Sequence, residues 1–284
     1  MGILFGVLAA AFWGVGDFFI TLLTRRIGTR WALLSIQVLS VLAWILLLFG
    51  GSIPAVTPGL WGILLATAVC HVLGLAFVYR AFEIGNLALV SPISSAFAIV
   101  TAILSLASGE RPPALVLAGS ALLIVGVTLA TRGLQSVDAP RASLRGVPEA
   151  LASAAAFGTM FWLFYFYVQP RLGYAMPLVT LKALAVCGSA LALVLSRSPE
   201  RTGVIQRGPR VVFLAVGAAA ADTAAWLTYI AGTRTSYATV VTALASLFSV
   251  VTVLFAWRFL GDRLAVHQWA GVGVILCGIF LVSI

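Results

Sequence analysis

Charge is what this sequence has least of. Only 9% of its 284 residues are Asp, Glu, Lys or Arg, while 62% are hydrophobic. A soluble domain carries about a quarter charged residues, so this chain cannot build a water-facing surface and its main solvent is read as lipid. Histidine is almost missing: His71 and His267 are the two present, which excludes a histidine-built metal centre. Three cysteines, Cys70, Cys187 and Cys277, each stand alone in an apolar run, so neither a disulfide framework nor a thiolate metal site is expected. Lysine occurs once, at Lys182, and every other basic residue is arginine. There is no phosphate-binding loop, no dinucleotide fingerprint and no metal-ligand spacing, so the expectation is no enzyme activity, no cofactor and no metal. The net charge of +9 invites a nucleic-acid reading. That reading is excluded, because the arginines are scattered through short connections and form no contiguous patch.

What is present is a series of continuous apolar runs about 20 residues long, the length a helix needs to cross hydrocarbon. A membrane barrel would show short alternating segments instead, so the expected class is an all-α membrane protein. Ten transmembrane helices are read at 2–23, 31–50, 60–79, 87–107, 114–131, 147–168, 174–195, 211–231, 236–257 and 265–283. The first run lacks a basic leader and continues through Asp17 to Leu23, so it reads as a span rather than a cleaved signal peptide. No connection is long enough to fold as a soluble domain; the longest are 131–146 and 196–210.

Arginines are sharply sided. Connections after spans 1, 3, 5, 7 and 9 carry Arg25, Arg26, Arg30, Arg80, Arg132, Arg141, Arg145, Arg197, Arg201, Arg207, Arg210, Arg258 and Arg263. The opposite face carries Arg111, Arg171 and Arg234. The basic face is expected in the cytoplasm, which places a multi-pass protein in the cell (inner) membrane with both termini outside.

The chain also repeats itself. Ser95-Ala-Phe-Ala-Ile-Val-Thr101 matches Ser246-Leu-Phe-Ser-Val-Val-Thr252, and Gly109-Glu110-Arg111 matches Gly261-Asp262-Arg263. Gly119 and Gly126 match Gly271 and Gly278, and Ala11-Phe12-Trp13-Gly14 resembles Ala155-Ala156-Phe157-Gly158. The repeats are placed at 1–131 and 147–284, joined by a linker at 132–146. Each holds five spans, an odd number, so the second copy must insert upside down. Inverted-topology repeats of this kind place a site near midplane at their interface.

With these residues the sequence resembles the drug/metabolite transporter superfamily, EamA type. The resemblance rests on Phe12-Trp13-Gly14, Gly85-Asn-Leu-Ala-Leu-Val-Ser-Pro92, Gly109-Glu110-Arg111, the Gly119/Gly126 pair and the second-half copies. It covers the whole chain. It implies a five-plus-five inverted-repeat fold, a central cavity, spans 5 and 10 at the periphery, and movement of small metabolites. The sequence departs from family habit in its charges: the connection at 50–59 has none, whereas the one after span 7 has four arginines.

Deep ionisable residues are costly in a membrane and usually face a cavity or a partner. Asp17, His71 and Asp222 are such residues, and we expect them to line the pathway and one or more to titrate during transport. A fixed counter-charge for an amine-bearing substrate, or hydrogen-bonded helix packing, are the alternatives. Lys182, eight residues into span 7, can snorkel, pair with Asp222 or bind a substrate carboxylate. Trp13, Trp162, Trp226 and Tyr229 are candidates for an aromatic wall, with core packing as the other reading. Spans 4 and 9 carry matched stripes at spacings of three and four: Ser91, Ser95, Ala98 and Thr101, then Thr242, Ser246, Ser249 and Thr252. Such faces line a pathway or let helices pack closely. Pro92 beside Ser91 is a candidate kink.

The expected function is a secondary transporter moving an amino acid, related metabolite or drug-like compound by alternating access, with proton coupling as the sharper form. A non-transporting membrane accessory or sensory protein and a channel-like facilitator are the competing classes. The expected partners are a small-molecule substrate and the lipid bilayer, with no nucleic acid; the sequence leaves the oligomeric state open and is compatible with a monomer.

Overall fold

A computed structural model describes residues 1–48, 55–84, 93–131, 146–195 and 208–260, with helical fragments at 270–271, 273–274, 277–278 and 281. Among the described residues every regular element is a helix. They are α1 (Gly2–Ile27), α2 (Thr29–Leu48), α3 (Pro58–Ile84), α4 (Phe97–Ala107), α5 (Ala114–Thr131), α6 (Val147–Leu163), α7 (Ala175–Leu195) and α8 (Pro209–Thr233). The last, α9, runs as Ala238–Ala245 and Phe248–Leu260. Several helices open on proline: α3 and α8 begin with one, and α6 has Pro148 in its first turn. There the missing N–H has no intrahelical partner to lose.

Among the described residues, six helices are long and apolar enough to cross a membrane: α1, α2, α3, α6, α7 and α8. The described parts of spans 4, 5 and 9 of the expected ten are apolar helices at Ile93–Ala107, Ala114–Gly126 and Ala238–Thr252, and span 10 lies largely outside the described residues. The expected spans also grow at their ends. α1 reaches Ile27 and α3 reaches Ile84, because helical backbone continues past the last apolar residue into the interface.

The fourth and ninth spans are interrupted at the same register. Ala96 N–H donates to the Ile93 carbonyl and Ile99 N–H to that of Ala96; Leu247 N–H donates to Leu244 and Val250 N–H to Leu247. Each is an i to i+3 bond, the tighter 3₁₀ spacing that often marks a hinge when it falls mid-helix. The sixth span has a different irregularity. A π-helical segment at Phe164–Val168 links α6 to the short turn Gln169–Leu172, which contains Pro170. Proline leaves an upstream carbonyl without its helical donor; Arg171 Nη1 donates to the Phe166 and Tyr167 carbonyls at 3.3 and 3.1 Å.

Helix pairing is two-fold symmetric. α1 packs on α8 as α6 packs on α3; α9 packs on α1 as α4 packs on α6; α2 and α7 face each other across the middle. The match extends to atoms. A Cβ on Gly14 would stand 2.5 Å from Val251 Cβ and 2.9 Å from the Phe248 carbonyl oxygen. On Gly158 it would stand 2.5 Å from Val100 Cβ and 2.7 Å from the Phe97 oxygen. These are repeat-equivalent positions, so both crossings need glycine because backbone lies where a side chain would go. Thr101 Oγ1 donates to the carbonyls of Phe97 and Gly158 at 3.1 Å, and Thr252 Oγ1 donates to Phe248. The equivalent helices α1 and α6 run in opposite directions. Gly2 at the start of α1 lies against Ser236, just beyond α8. At the end of the sixth span, Thr233 Oγ1, at the α8 terminus, donates to Gln169 Oε1 at 3.3 Å.

Candidate functional site

Between the two halves lies a cavity of about 150 Å³. Its charged and polar lining comes from six different elements. Asp17 is on α1, Gln37 on α2, His71 and Tyr79 on α3, Ser94 just before α4, Lys182 on α7 and Asp222 on α8. The lining positions of α1 reach toward Arg26, those of α2 toward Arg30 and those of α3 toward Arg80, while those of α8 centre on its middle and Lys182 lies in the first half of α7. The cavity therefore starts near the middle of the bundle and extends, along α1, α2 and α3, toward their arginine-rich ends. Its other limit is a floor of rings. Trp13 lies 5.7 Å from Phe161 and 5.8 Å from both Trp226 and Tyr229, centroid to centroid. Phe97 stacks on Phe161 at 5.1 Å and on Phe248 at 6.2 Å.

Within this wall the deep charges are not equivalent. Lys182 Nζ donates to Asp222 Oδ2 at 2.7 Å, and Ser40 Oγ donates to the same oxygen at 3.2 Å. The Lys182 side chain is 1% exposed and that of Asp222 19%. Of the options open for Lys182, the fold takes the pairing with Asp222. Asp17 has no ion-pair partner among the described residues, and its backbone carbonyl accepts from Thr21 Oγ1. Two further groups are left open. Among the described residues neither nitrogen of His71 has a hydrogen-bond partner, though its ring lies 6.1 Å from Phe157 and 6.4 Å from Trp226. Gln37 Oε1 and Ser94 Oγ are likewise buried without a partner. Unpaired buried polar atoms are rare because each is expensive. Four of them, on His71, Gln37 and Ser94, line one cavity and make a set of donors and acceptors ready for a ligand.

Of the sequence candidates, Asp17, His71, Lys182, Asp222, Trp13 and Trp226 line this cavity. Tyr229 does not. It lies behind the floor, and its hydroxyl pairs with Thr242 Oγ1 at 2.8 Å. Thr242, Ser95 and Ser246 are buried in helix contacts rather than in the wall, and Ser246 Oγ donates to the Ala243 carbonyl. The stripes of spans 4 and 9 therefore act in packing here, because small residues are what the Gly14 and Gly158 crossings require. Trp162 also leaves the aromatic wall; its Nε1 donates to Ser108 Oγ at 2.7 Å. Ser91 and Pro92 lie outside the described residues. Site residues that the sequence does not mark as candidates include Gln37, Ser40, Tyr79, Ser94, Phe97, Phe157, Phe161 and Phe248. Gln37 and Ser40 carried a signal: polar groups three apart in an otherwise apolar run share a face.

The Gly109-Glu110-Arg111 motif is resolved into three separate duties. Gly109 turns the chain out of α4 with φ of 102°, a conformation that L side chains disfavour. Arg111 Nη1 donates to the Leu106 and Glu110 carbonyls, closing the helix end. Glu110 crosses to the other half: its carboxylate accepts from Ala238 N–H at 2.7 Å, from Thr239 N–H at 3.3 Å and from the Thr239 hydroxyl. Tyr237, in the cap position of α9, contributes no side-chain bond, so Glu110 is the cap and its charge suits the helix dipole. Replacing it by alanine strands two buried N–H groups at the start of α9. Glu110→Ala is expected to lose about 1.5–3 kcal/mol, measured by unfolding in detergent, with Glu110→Gln losing less. An unchanged unfolding curve in both variants would contradict the capping role. The second copy, Gly261-Asp262-Arg263, lies outside the described residues.

A model of the EamA-like transporter family matches residues 1–132 and again 150–284. No curated protein matches the sequence. Among solved structures, a crystal structure of a protein aligns with a TM-score of 0.80 over 100% of this chain and 98% of that one, at 14% identity. At that identity the likeness speaks for the fold alone. With its membrane-length helices, the chain is an integral, multi-pass membrane protein.

Proposed function

This chain belongs to the EamA-like transporter family, and we propose that it is a secondary carrier of a small organic molecule working by alternating access. Ten spans as two inverted five-helix repeats, in the cell (inner) membrane, is the architecture this reading uses. The positive-inside rule puts the arginine-rich face in the cytoplasm and both termini outside. One observation carries the proposal: a polar cavity between the halves, extending from near the middle toward the arginine-rich face and bounded on its other side by packed rings. Such asymmetry is what one end state of a rocking carrier requires.

The parts for the opposite state are also at hand. Beyond the ring floor, Glu110 ties α4 to α9 across the two halves. Rocking that opened this side would break that cap and part the floor. The 3₁₀ interruptions at Ala96 and Leu247 lie next to floor residues Phe97 and Phe248, where a bend would move the rings. No nucleotide site is needed. Proton coupling, if it drives the cycle, would use the titratable side chains of the cavity: Asp17, His71, Tyr79, Lys182 and Asp222.

Reconstitution into liposomes with the purified protein tests this reading. A carrier gives saturable uptake that is accelerated by unlabelled substrate on the far side. A channel-like facilitator gives flux without that acceleration, and an accessory protein gives none. Asp17→Asn is expected to reduce flux by about 10-fold or more, the worth of one charge-assisted contact. Wild-type flux in that variant would remove Asp17 from the pathway.

A further inference from the structure

We infer that the cavity is built for an arylalkylamine that bears one positive charge and no carboxylate, with its ammonium on Asp17 and its ring against the floor. The inference rests on the carrier reading above and names the substrate class for that same cavity.

The charges of the wall decide it. Lys182 and Asp222 neutralise each other at 2.7 Å, and Ser40 holds the shared oxygen. That leaves Asp17 as the lining side chain with an uncompensated formal charge. In a surrounding of low dielectric, an opposite charge there is strongly attracted and a like charge strongly repelled. A carboxylic acid would put a second anion beside Asp17. A zwitterionic amino acid would do so too, unless its carboxylate drew Lys182 away from Asp222. That exchange leaves Asp222 without its cation, a costly change for a buried pair. An amine without a carboxylate meets neither obstacle.

The remaining wall specifies the rest of the molecule. Trp13, Phe161 and Trp226 line the floor as a packed cluster of rings, against which a ligand ring and a nearby ammonium can rest. His71 stands among these rings with both nitrogens unpaired among the described residues, and Gln37 and Ser94 add two more open groups. These neutral donors and acceptors suit a ring hydroxyl or ring N–H. A phenolic or indolic amine would satisfy polar atoms that a plain hydrocarbon ring would leave unpaired.

The test is calorimetric titration of the purified protein with matched sets: tyramine, tyrosine and 4-hydroxyphenylacetate, then tryptamine, tryptophan and indole-3-acetate. The amine of each set is expected to bind about 10-fold or more tightly than its amino acid, and the acid weakest. In Asp17→Asn, the amine should lose about 10-fold while phenol and indole bind as before. Equal or tighter binding of the amino acids overturns the inference, as does an amine affinity unchanged in Asp17→Asn. The wild-type ranking stands on its own should that variant fail to fold. Liposome flux separates the two levels. Tight amine binding without flux supports this ligand class and sinks the carrier reading; amino-acid flux without amine binding does the reverse.

Discussion

Asp222→Ala is expected to destabilise the protein by about 3–5 kcal/mol, the loss seen when one partner of a buried ion pair is removed. The variant leaves Lys182, 1% exposed, with its ammonium among apolar helices and no counter-charge. Lys182→Met should be milder, because Asp222 at 19% exposure retains access to the cavity and keeps its Ser40 hydrogen bond. The double variant Lys182→Met/Asp222→Ala removes both charges and should recover much of the loss. Unfolding in detergent of the four proteins forms a double-mutant cycle. A double variant less stable than Asp222→Ala would show that the pair is not the reason for either effect. The same cycle separates stability from transport. If the pair only neutralises the wall, the double variant should keep flux while remaining sensitive to Asp17→Asn.

The second large effect lies at the two glycine crossings. Gly158→Ala places a methyl carbon 2.5 Å from Val100 Cβ and 2.7 Å from the Phe97 oxygen. Gly14→Ala does the same against Val251 Cβ at 2.5 Å and the Phe248 oxygen at 2.9 Å. Rotamer changes cannot relieve these contacts, since a Cβ has no torsion of its own and the oxygens belong to backbone. Each alanine is expected to cost about 3 kcal/mol or more, the upper end for overpacking. The two should cost similar amounts because the crossings are repeat-equivalent. Val100→Gly should rescue Gly158→Ala in part, since the Phe97 oxygen stays in place. Gly62, with open space around its would-be Cβ, is the control: alanine there should be neutral or stabilise the helix by up to about 1 kcal/mol. Unfolding temperatures that fall for Gly62→Ala and not for the crossing variants would refute the close approach.

How much of the site could be read in advance depended on the kind of signal. Asp17, His71, Lys182 and Asp222 announce themselves because a charge or imidazole in hydrocarbon is rare at any depth. The aromatic floor does not. Phe97, Phe157, Phe161 and Phe248 are four of 17 phenylalanines in an apolar chain, and nothing local marks the ring that faces a cavity rather than lipid. Tyr229 shows the same difficulty in reverse: it lies one turn from Trp226 and yet sits behind the floor, bonded to Thr242. Glu110 stands in a repeated motif, but its partner lies in the other half of the chain, beyond the reach of any local pattern.

The sequence by itself determined that this chain is a bundle of membrane-length helices in two copies, since continuous apolar runs and an internal match need no neighbour to be seen. It also determined which few side chains would be expensive to bury. Only the tertiary structure decided how those side chains were shared out: Lys182 to Asp222, Glu110 to α9, and Asp17, His71, Gln37 and Ser94 left open to the cavity. The physical reason is phase. Helices that are apolar all round carry little periodic record of which face turns inward. The tilt and rotation that bring two groups within 3 Å are set by packing at places such as Gly14 and Gly158.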